Sequence, residues 1–450
     1  MKWLTGVVLV SATCALAQAP RQLTLDEAIA IGMKNSKMLR VSAAKVEAAE
    51  ARTGEAGTAL LPSLKLEGSY KRLSDVDPFA VKVPFYPTPI EISPIVLNNY
   101  NLRVSLQQPL FTGFKLRSNA RTAEYLSEAS ASDHRSDQSD LVLNITTAYW
   151  TLFQARETKR FMDENVARLE TYQRDTENLM KAGMATRNDL LKIQVQLSNA
   201  RLTQIDATND VQVALMNLNN IMGLPLETDL ALTSVPRGNA GATLPDQGKA
   251  HPDSGALVAR ALGIRPDLQA MQLRVEASKA GVAAAQGGWW PQFFLGGSYY
   301  YSRPNPRYMP TKDEFKSTWE IGVTMQFDIW NWGLTGYQSD QAKATLLQNE
   351  LTYAQMQDNA SLEVKRYSLA VARARDKTDV ARLAVDQAEE NLRSTNDKFK
   401  SGLATSSDLL DANVTLLQTR TNLSGALVEL ELAQARLDKA TGGTGGGHER

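Results

Sequence analysis

Residues that carry covalent, redox and metal chemistry are scarce in this chain. Its 450 residues include one cysteine, Cys14, and three histidines, His134, His251 and His448. A single cysteine excludes an internal disulfide, and Cys14 falls inside the apolar N-terminal stretch, so the processed chain is expected to hold no thiol. The histidines stand 117 and 197 residues apart, which is no ligand spacing, and no phosphate loop or nucleophile triad is visible. An enzyme, a bound metal and a cofactor are therefore not expected. Charge of one sign is also lacking: Lys and Arg total 49, Asp and Glu total 49, so nothing points to a nucleic-acid partner. No apolar run reaches the 18 or so residues that a membrane helix needs, which leaves a closed β-barrel as the route into a bilayer. Between Gly113 and Gly183 there is neither proline nor glycine, so this stretch reads as one helix of about 100 Å. A helix that long needs partners along its length.

The N-terminus reads as a secretory signal over 1–17. Lys2 is the positive flank, Val7 to Val10 lie in the apolar core, and Ala15-Leu16-Ala17 is a small-x-small cleavage site. Its apolar run is too short to span a bilayer. Lipidation of Cys14 fits poorly, because Ser11-Ala12-Thr13 is not the Leu-small-small run of such sites.

Duplication organises the rest. Lys181-Ala182-Gly183-Met184-Ala185-Thr186-Arg187-Asn188-Asp189-Leu190-Leu191 returns as Lys400-Ser401-Gly402-Leu403-Ala404-Thr405-Ser406-Ser407-Asp408-Leu409-Leu410, 219 residues later. Each copy reads as a tight turn between helices: Gly183 and Gly402 end one helix in the left-handed region, Thr186 and Thr405 cap the next, and Asp189 and Asp408 take the reciprocal capping-box position. The offset of 219 holds from Val104/Val323 to Gly223/Gly442, through pairs such as Glu170/Glu389 and Arg201/Arg420. Upstream it becomes 229, through Leu39/Leu268, Pro62/Pro291 and Gly68-Ser69-Tyr70/Gly297-Ser298-Tyr299. Two copies of one unit, helix–strand–loop–strand–helix–turn–helix, account for the chain.

The reading divides the chain into a first repeat over 18–223, a connector over 224–254, a second repeat over 255–442 and a glycine-rich tail over 443–450. Single helices are expected over 25–60 and 257–286, capped in the first case by Thr24 or Asp26. Period-two alternation places strands at about 62–72, 99–111, 291–302 and 318–330, the last including Phe327 and Ile329. Residues 72–98 hold five prolines, Pro78, Pro84, Pro87, Pro89 and Pro94, and read as irregular loop, as does the connector. The shorter helices are expected to stack end to end beside each long one.

Strands of about ten residues can cross a bilayer when tilted. Four strands cannot close a barrel, since outer-membrane barrels start at eight, so membrane insertion requires several copies; three give twelve strands. Five of the seven tryptophans, Trp289, Trp290, Trp319, Trp330 and Trp332, flank or lie on the last two strands, as an interfacial girdle would. The fold class expected is mainly α with a small membrane β-barrel contribution.

This pattern resembles the TolC-like family of outer-membrane efflux channels across essentially the whole mature chain. The likeness rests on the duplicated unit, on Pro109-Leu110-Phe111-Thr112-Gly113 after a strand, and on the two Gly-x-x-Thr tips. It implies a homotrimer in the outer membrane of a Gram-negative cell, with a twelve-stranded β-barrel among its lipids and an α-helical barrel in the periplasm. It also implies a periplasmic adaptor and an inner-membrane pump as partners, and passive efflux of small molecules without catalysis. A ring of carboxylates at the periplasmic aperture would be Asp408 and Asp411, six in a trimer and unlikely all to ionise if close; the alternatives are a helix cap for Asp408 and a solvated face for Asp411. Asp189 matches a gate carboxylate, but its tyrosine partner is Phe399 here and the gate arginine position is Ala404, so that latch is not reproduced. Gly183, Met184, Ala185, Thr186, Gly402, Leu403, Ala404 and Thr405 would dock the adaptor. The rival within transport is a type I protein-secretion duct; the rival outside it is a periplasmic coiled-coil scaffold or adaptor without a pore.

Overall fold

A computed structural model describes residues 21–77, 79–85, 87–88, 90–91, 95–236 and 254–443. The expected signal with Cys14, residues 237–253 of the connector, Pro78, Pro89, Pro94, His251 and tail residues 444–450 lie outside these. The described elements are, in order, β1 (Arg21–Leu23), α1 (Leu25–Asn35), α2 (Lys37–Thr58), β2 (Ser63–Arg72), β3 (Ala80–Val81), β4 (Ile90–Glu91), β5 (Asn98–Thr112), α3 (Lys115–Lys181), α4 (Arg187–Met222), β6 (Leu230–Leu232), α5 (Ser254–Ile264), α6 (Pro266–Gln286), β7 (Gln292–Arg303), β8 (Lys316–Gln326), α7 (Leu334–Lys400) and α8 (Ser406–Ala440). The chain forms two compact units, divided within α2, within α3, between α5 and α6, and within α7.

Of the described residues, the first unit comprises 21–40, 136–236, 254–265 and 359–443. One core holds the fully buried Leu23, Ile145, Tyr149, Leu152, Leu218, Met222 and Leu230. Tyr149 joins the start of the first repeat to the connector: its hydroxyl donates to the Leu23 carbonyl and accepts from the Ser234 N–H, both at 3.0 Å. Gly32 lets α1 approach α3, since a Cβ there would lie 2.3 Å from the Ile145 side chain. A second core packs Leu169, Ile193 and Leu409, all fully buried, with Phe399. The duplication is visible in the contacts. Arg201–Glu170 at 2.8 Å and Arg420–Glu389 at 2.6 Å are the same ion pair in the two copies. Gly223 (φ 71°) ends α4 against Asn35, and Gly442 (φ 81°) follows α8 against Ile264, at the corresponding places.

The second unit comprises Val41–Arg135 and Pro266–Asp358. Its centre is an antiparallel sheet of four strands in the order β2-β5-β7-β8. Register puts one set of apolar residues on one face: Leu66, Val104, Tyr299 and Trp319 form one row, and Leu106 and Ile321 lie beside them. The alternate residues, such as Lys65, Ser105, Ser298 and Glu320 in a single row, make the other face polar. The α2 and α3 helices are joined where the Thr53 hydroxyl donates to the Ala123 carbonyl at 3.1 Å.

Five expectations are corrected. The helix expected over 25–60 breaks at Ser36, whose ψ is 121° and whose buried hydroxyl accepts from the Leu39 N–H at 3.3 Å, opening α2. The helix expected over 257–286 breaks at the corresponding place, Arg265, because Pro266 has no N–H to donate and starts α6 instead. The connector holds a strand: β6 pairs in parallel with β1, Arg21↔Leu230 to Leu23↔Leu232. The loop over 72–98 holds the two-residue β3–β4 pair. The last strand also stops at Gln326 although the alternation runs on through Phe327 and Ile329. Its neighbour β7 begins at Gln292, which faces Gln326, so nothing lies opposite further residues.

Candidate functional site

The two tips are built alike. Each long helix ends on a Schellman turn: the Met184 N–H donates to the Leu179 carbonyl and the Leu403 N–H to the Lys398 carbonyl, both at 2.8 Å. Gly183 and Gly402 supply the left-handed residue, with φ of 78° and 73°. Each following helix then opens with a complete capping box. Thr186 N–H donates to Asp189 Oδ2 at 3.0 Å and Thr405 N–H to Asp408 Oδ2 at 2.9 Å, while each threonine hydroxyl accepts from the aspartate N–H.

The tips differ in what their aspartates do next. Asp408 has the partners of its own cap, and the Thr405 N–H and hydroxyl hold its carboxyl below the ordinary value. Asp189 also accepts from the Ser406 hydroxyl at 2.6 Å, and Lys192 Nζ donates to Ser407 Oγ at 3.1 Å, so the start of α4 is tied to the start of α8. The Ser406 hydroxyl is the largest influence that lowers the Asp189 carboxyl, followed by Thr186. Asp411, one turn after Asp408, is exposed like it. The structure brings Asp189 to Ser406; Asp408 and Asp411 share an exposed face of α8. Phe399 turns into the second core beside Leu409 and leaves no ring to meet Asp189.

Gly183, Met184, Thr186, Gly402, Leu403 and Thr405 are exposed, and Ala185 and Ala404 half-buried. Met184 and Leu403 are apolar side chains left 60% and 80% exposed, a surface that a partner can cover. Sequence reasoning missed Ser406, Ser407 and Lys192; the one signal was a run of three hydroxyls at 405–407, two more than a cap needs. It also missed a polar link in the second core. There Asn413 donates to Asn165 at 2.7 Å and accepts from Arg168 at 3.1 Å, while Arg420 bonds Glu164 and Glu389. Both asparagines are buried, and burial is what lowers the Arg168 guanidinium most, with Arg420 next. A buried polar pair of this kind fixes the register of α8 on α3.

In the second unit the five tryptophans, Trp289, Trp290, Trp319, Trp330 and Trp332, are all more than half exposed. Trp289 and Trp290 precede β7, while Trp330 and Trp332 follow β8 and meet edge to face at 5.8 Å. The left-handed pairs Gly113-Phe114 and Trp332-Gly333 occupy equivalent strand-to-helix turns. Gly113 is required there, because a Cβ would lie 2.3 Å from the Gly287 carbonyl and 2.9 Å from Trp290. Trp319 sits seven residues up β8 from Gln326, about 23 Å along the strand. Tyr299 and Tyr301 accompany it on the same face. Between these aromatic ends Ile321, Val323 and Met325 are exposed, by 61% or more. A band of apolar side chains bounded by aromatics is what a lipid-facing barrel wall presents.

Among the described residues no group of His, Cys, Asp and Glu could hold a metal ion, and no helix is long and apolar enough to cross a membrane.

Comparison with known proteins points to one family of outer-membrane efflux proteins. A sequence model described as Outer membrane efflux protein matches residues 32–224 and 257–443. The outer membrane efflux protein BepC of Brucella suis biovar 1 is 26% identical, over 97% of this chain and 89% of that protein. The alkaline protease secretion protein AprF of Pseudomonas aeruginosa is 23% identical, over 97% of this chain and 87% of that protein. The Campylobacter jejuni CmeC outer membrane channel superposes with a TM-score of 0.78 at 18% identity, covering 94% of this chain and 86% of that one.

Proposed function

The chain belongs to the outer membrane efflux protein family, and we propose that three copies of it close one passive exit duct through the outer membrane. The protein is an outer-membrane efflux channel with its helical part in the periplasm. One observation carries the trimer: a four-stranded sheet with an exposed apolar face and two edges, β2 and β8, unpaired among the described residues. In lipid every backbone polar group must be paired, so these edges must meet other copies. Three sheets make the twelve strands of a barrel, with the polar face, Lys65, Ser105, Ser298 and Glu320, toward water. Each chain then needs no chemistry of its own and acts as no enzyme. A periplasmic adaptor docks on the exposed Met184 and Leu403 tips, and an inner-membrane pump supplies the energy.

Asp408 and Asp411 form the periplasmic aperture, as two carboxylates per copy. Planar-bilayer recording of the mature protein tests this. Wild type is expected to give discrete cation-selective steps, and Asp408→Asn/Asp411→Asn to lose the selectivity. Steps of unchanged selectivity in the double variant would remove these residues from the aperture. Efflux of small molecules is the primary reading. Protein secretion is the second, because a similar protein of like length is named for secretion of an alkaline protease.

A further inference from the structure

The β7–β8 hairpin closes at the Ser302↔Lys316 pair, Arg303 bonds Asp313 at 2.7 Å just beyond it, and part of the loop then folds back over the sheet. Arg307 turns back to Glu320, whose register partner is Ser298, four pairs below the end of the hairpin and about 13 Å along the strand. Its guanidinium donates to the Glu320 carboxylate at 2.8 Å and to the Trp319 carbonyl at 3.0 Å. Asn305, only 2% exposed, anchors the same loop. Its amide donates to Lys316 O at 3.0 Å and Thr318 Oγ1 at 3.1 Å, and its Oδ1 accepts from the Arg307 N–H at 3.0 Å. Thr318 and Glu320 both belong to the polar face of the sheet.

Glu320 is also one end of a chain of contacts across that face. It accepts from the Tyr300 hydroxyl at 2.7 Å. The Tyr300 ring lies under the Arg103 guanidinium, 5.3 Å away. Arg103 bonds Ser298 at 3.0 Å and faces Glu67 at 4.0 Å. All four strands thus contribute to one charged belt, and Arg307 ties the loop to it.

We propose that Arg307 and Glu320 hold the β7–β8 loop over the polar face as an inner collar, which sets the largest solute that passes the strand end of the duct. The proposal rests on the reading above that the polar face lines the lumen. Three copies would place three such loops around one opening. Arg307 acts as a specificity-determining residue: without its fork the Arg307 segment loses its bonds to Glu320 and Trp319 and lifts off the polar face, while Asn305 and the Arg303–Asp313 pair still hold the base of the loop.

The test uses the thiol-free mature chain. Thr324 lies on the polar face, exposed and deeper than Glu320, so cells carrying Thr324→Cys are treated from outside with a small methanethiosulfonate or a polymer-linked maleimide. The small reagent is expected to label Thr324→Cys at the same rate with and without Arg307→Ala. The polymer-linked reagent is expected to label it on the order of tenfold faster once Arg307 is gone, the change that loss of one charge-assisted contact makes in an opening equilibrium. Glu320→Gln, which keeps the side-chain size, is expected to act like Arg307→Ala and covers the case where one variant fails to insert. Equal polymer-reagent rates in all three, with the small reagent labelling each, would overturn the collar and leave the duct standing. No labelling by the small reagent in any of them would overturn the lumen assignment itself.

Discussion

At the scale of single residues, the tips depend on charge held by short hydrogen bonds. The Asp189 carboxyl is stabilised as the anion by Ser406 and Thr186, so its folded pKa lies below its ordinary 3.8. A depressed carboxyl contributes stability that is present above its unfolded value and lost as the pH falls through the folded one. Asp189→Asn should therefore reduce hydrogen-exchange protection of the 186–193 segment at neutral pH, and the gap from wild type should narrow as the pH falls below 3.8. A gap constant with pH would mean that the Ser406 link does not depend on charge. Thr186→Ala removes the cap itself and should cost about 1 kcal/mol, roughly a fivefold loss of protection in the same segment. The caps were legible in the sequence because a capping box is local, with partners three residues apart. The Asp189–Ser406 bond was not, because its partners stand 217 residues apart and no periodicity links them. Phe399 was readable as a missing hydroxyl, but not as a core residue beside Leu409.

At the scale of elements, glycines at helix ends and in helix middles should answer differently to the same change. Gly223 adopts φ 71°, and an added Cβ would meet Asn35 at 3.1 Å. Gly223→Ala should lower stability by roughly 1–3 kcal/mol through backbone strain, with the collision adding to it. Gly54 is an exposed residue inside α2 with nothing within 4 Å of a new Cβ. Gly54→Ala should be neutral or stabilising by about 0.5–1 kcal/mol. Thermal unfolding of the two variants side by side checks the pair; equal effects would contradict the left-handed end of α4. The first long helix was legible from a single absence, that of proline and glycine between 113 and 183, and the second from the repeat of the first. Their shorter partners were read too long. Pro266 was a visible breaker, whereas Ser36 breaks its helix through a buried hydroxyl that reads like any other serine. The β1–β6 pair escaped because three residues show no alternation and the partner strand lies over 200 positions away.

At the scale of the whole molecule, duplication was the strongest message of the sequence and remains so in the structure. The Arg201–Glu170 and Arg420–Glu389 pairs, the two Schellman turns and the two left-handed strand-to-helix turns repeat in register. What the copies do not share marks where they diverge: Asn165, Arg168 and Asn413 in the core, and Ser406 and Ser407 at one tip. The sheet cannot be complete as a single copy. Its apolar face, with Leu64, Leu66, Trp319, Ile321 and Val323 all more than 60% exposed, has no counterpart to pack on within the described residues. Lipid and further copies resolve both that face and the open edges, and this is the central claim. Native mass spectrometry of the protein extracted from outer membranes tests it most directly. The account predicts one species of three chains that survives dilution; a monomer or a dimer as the stable membrane form would contradict it.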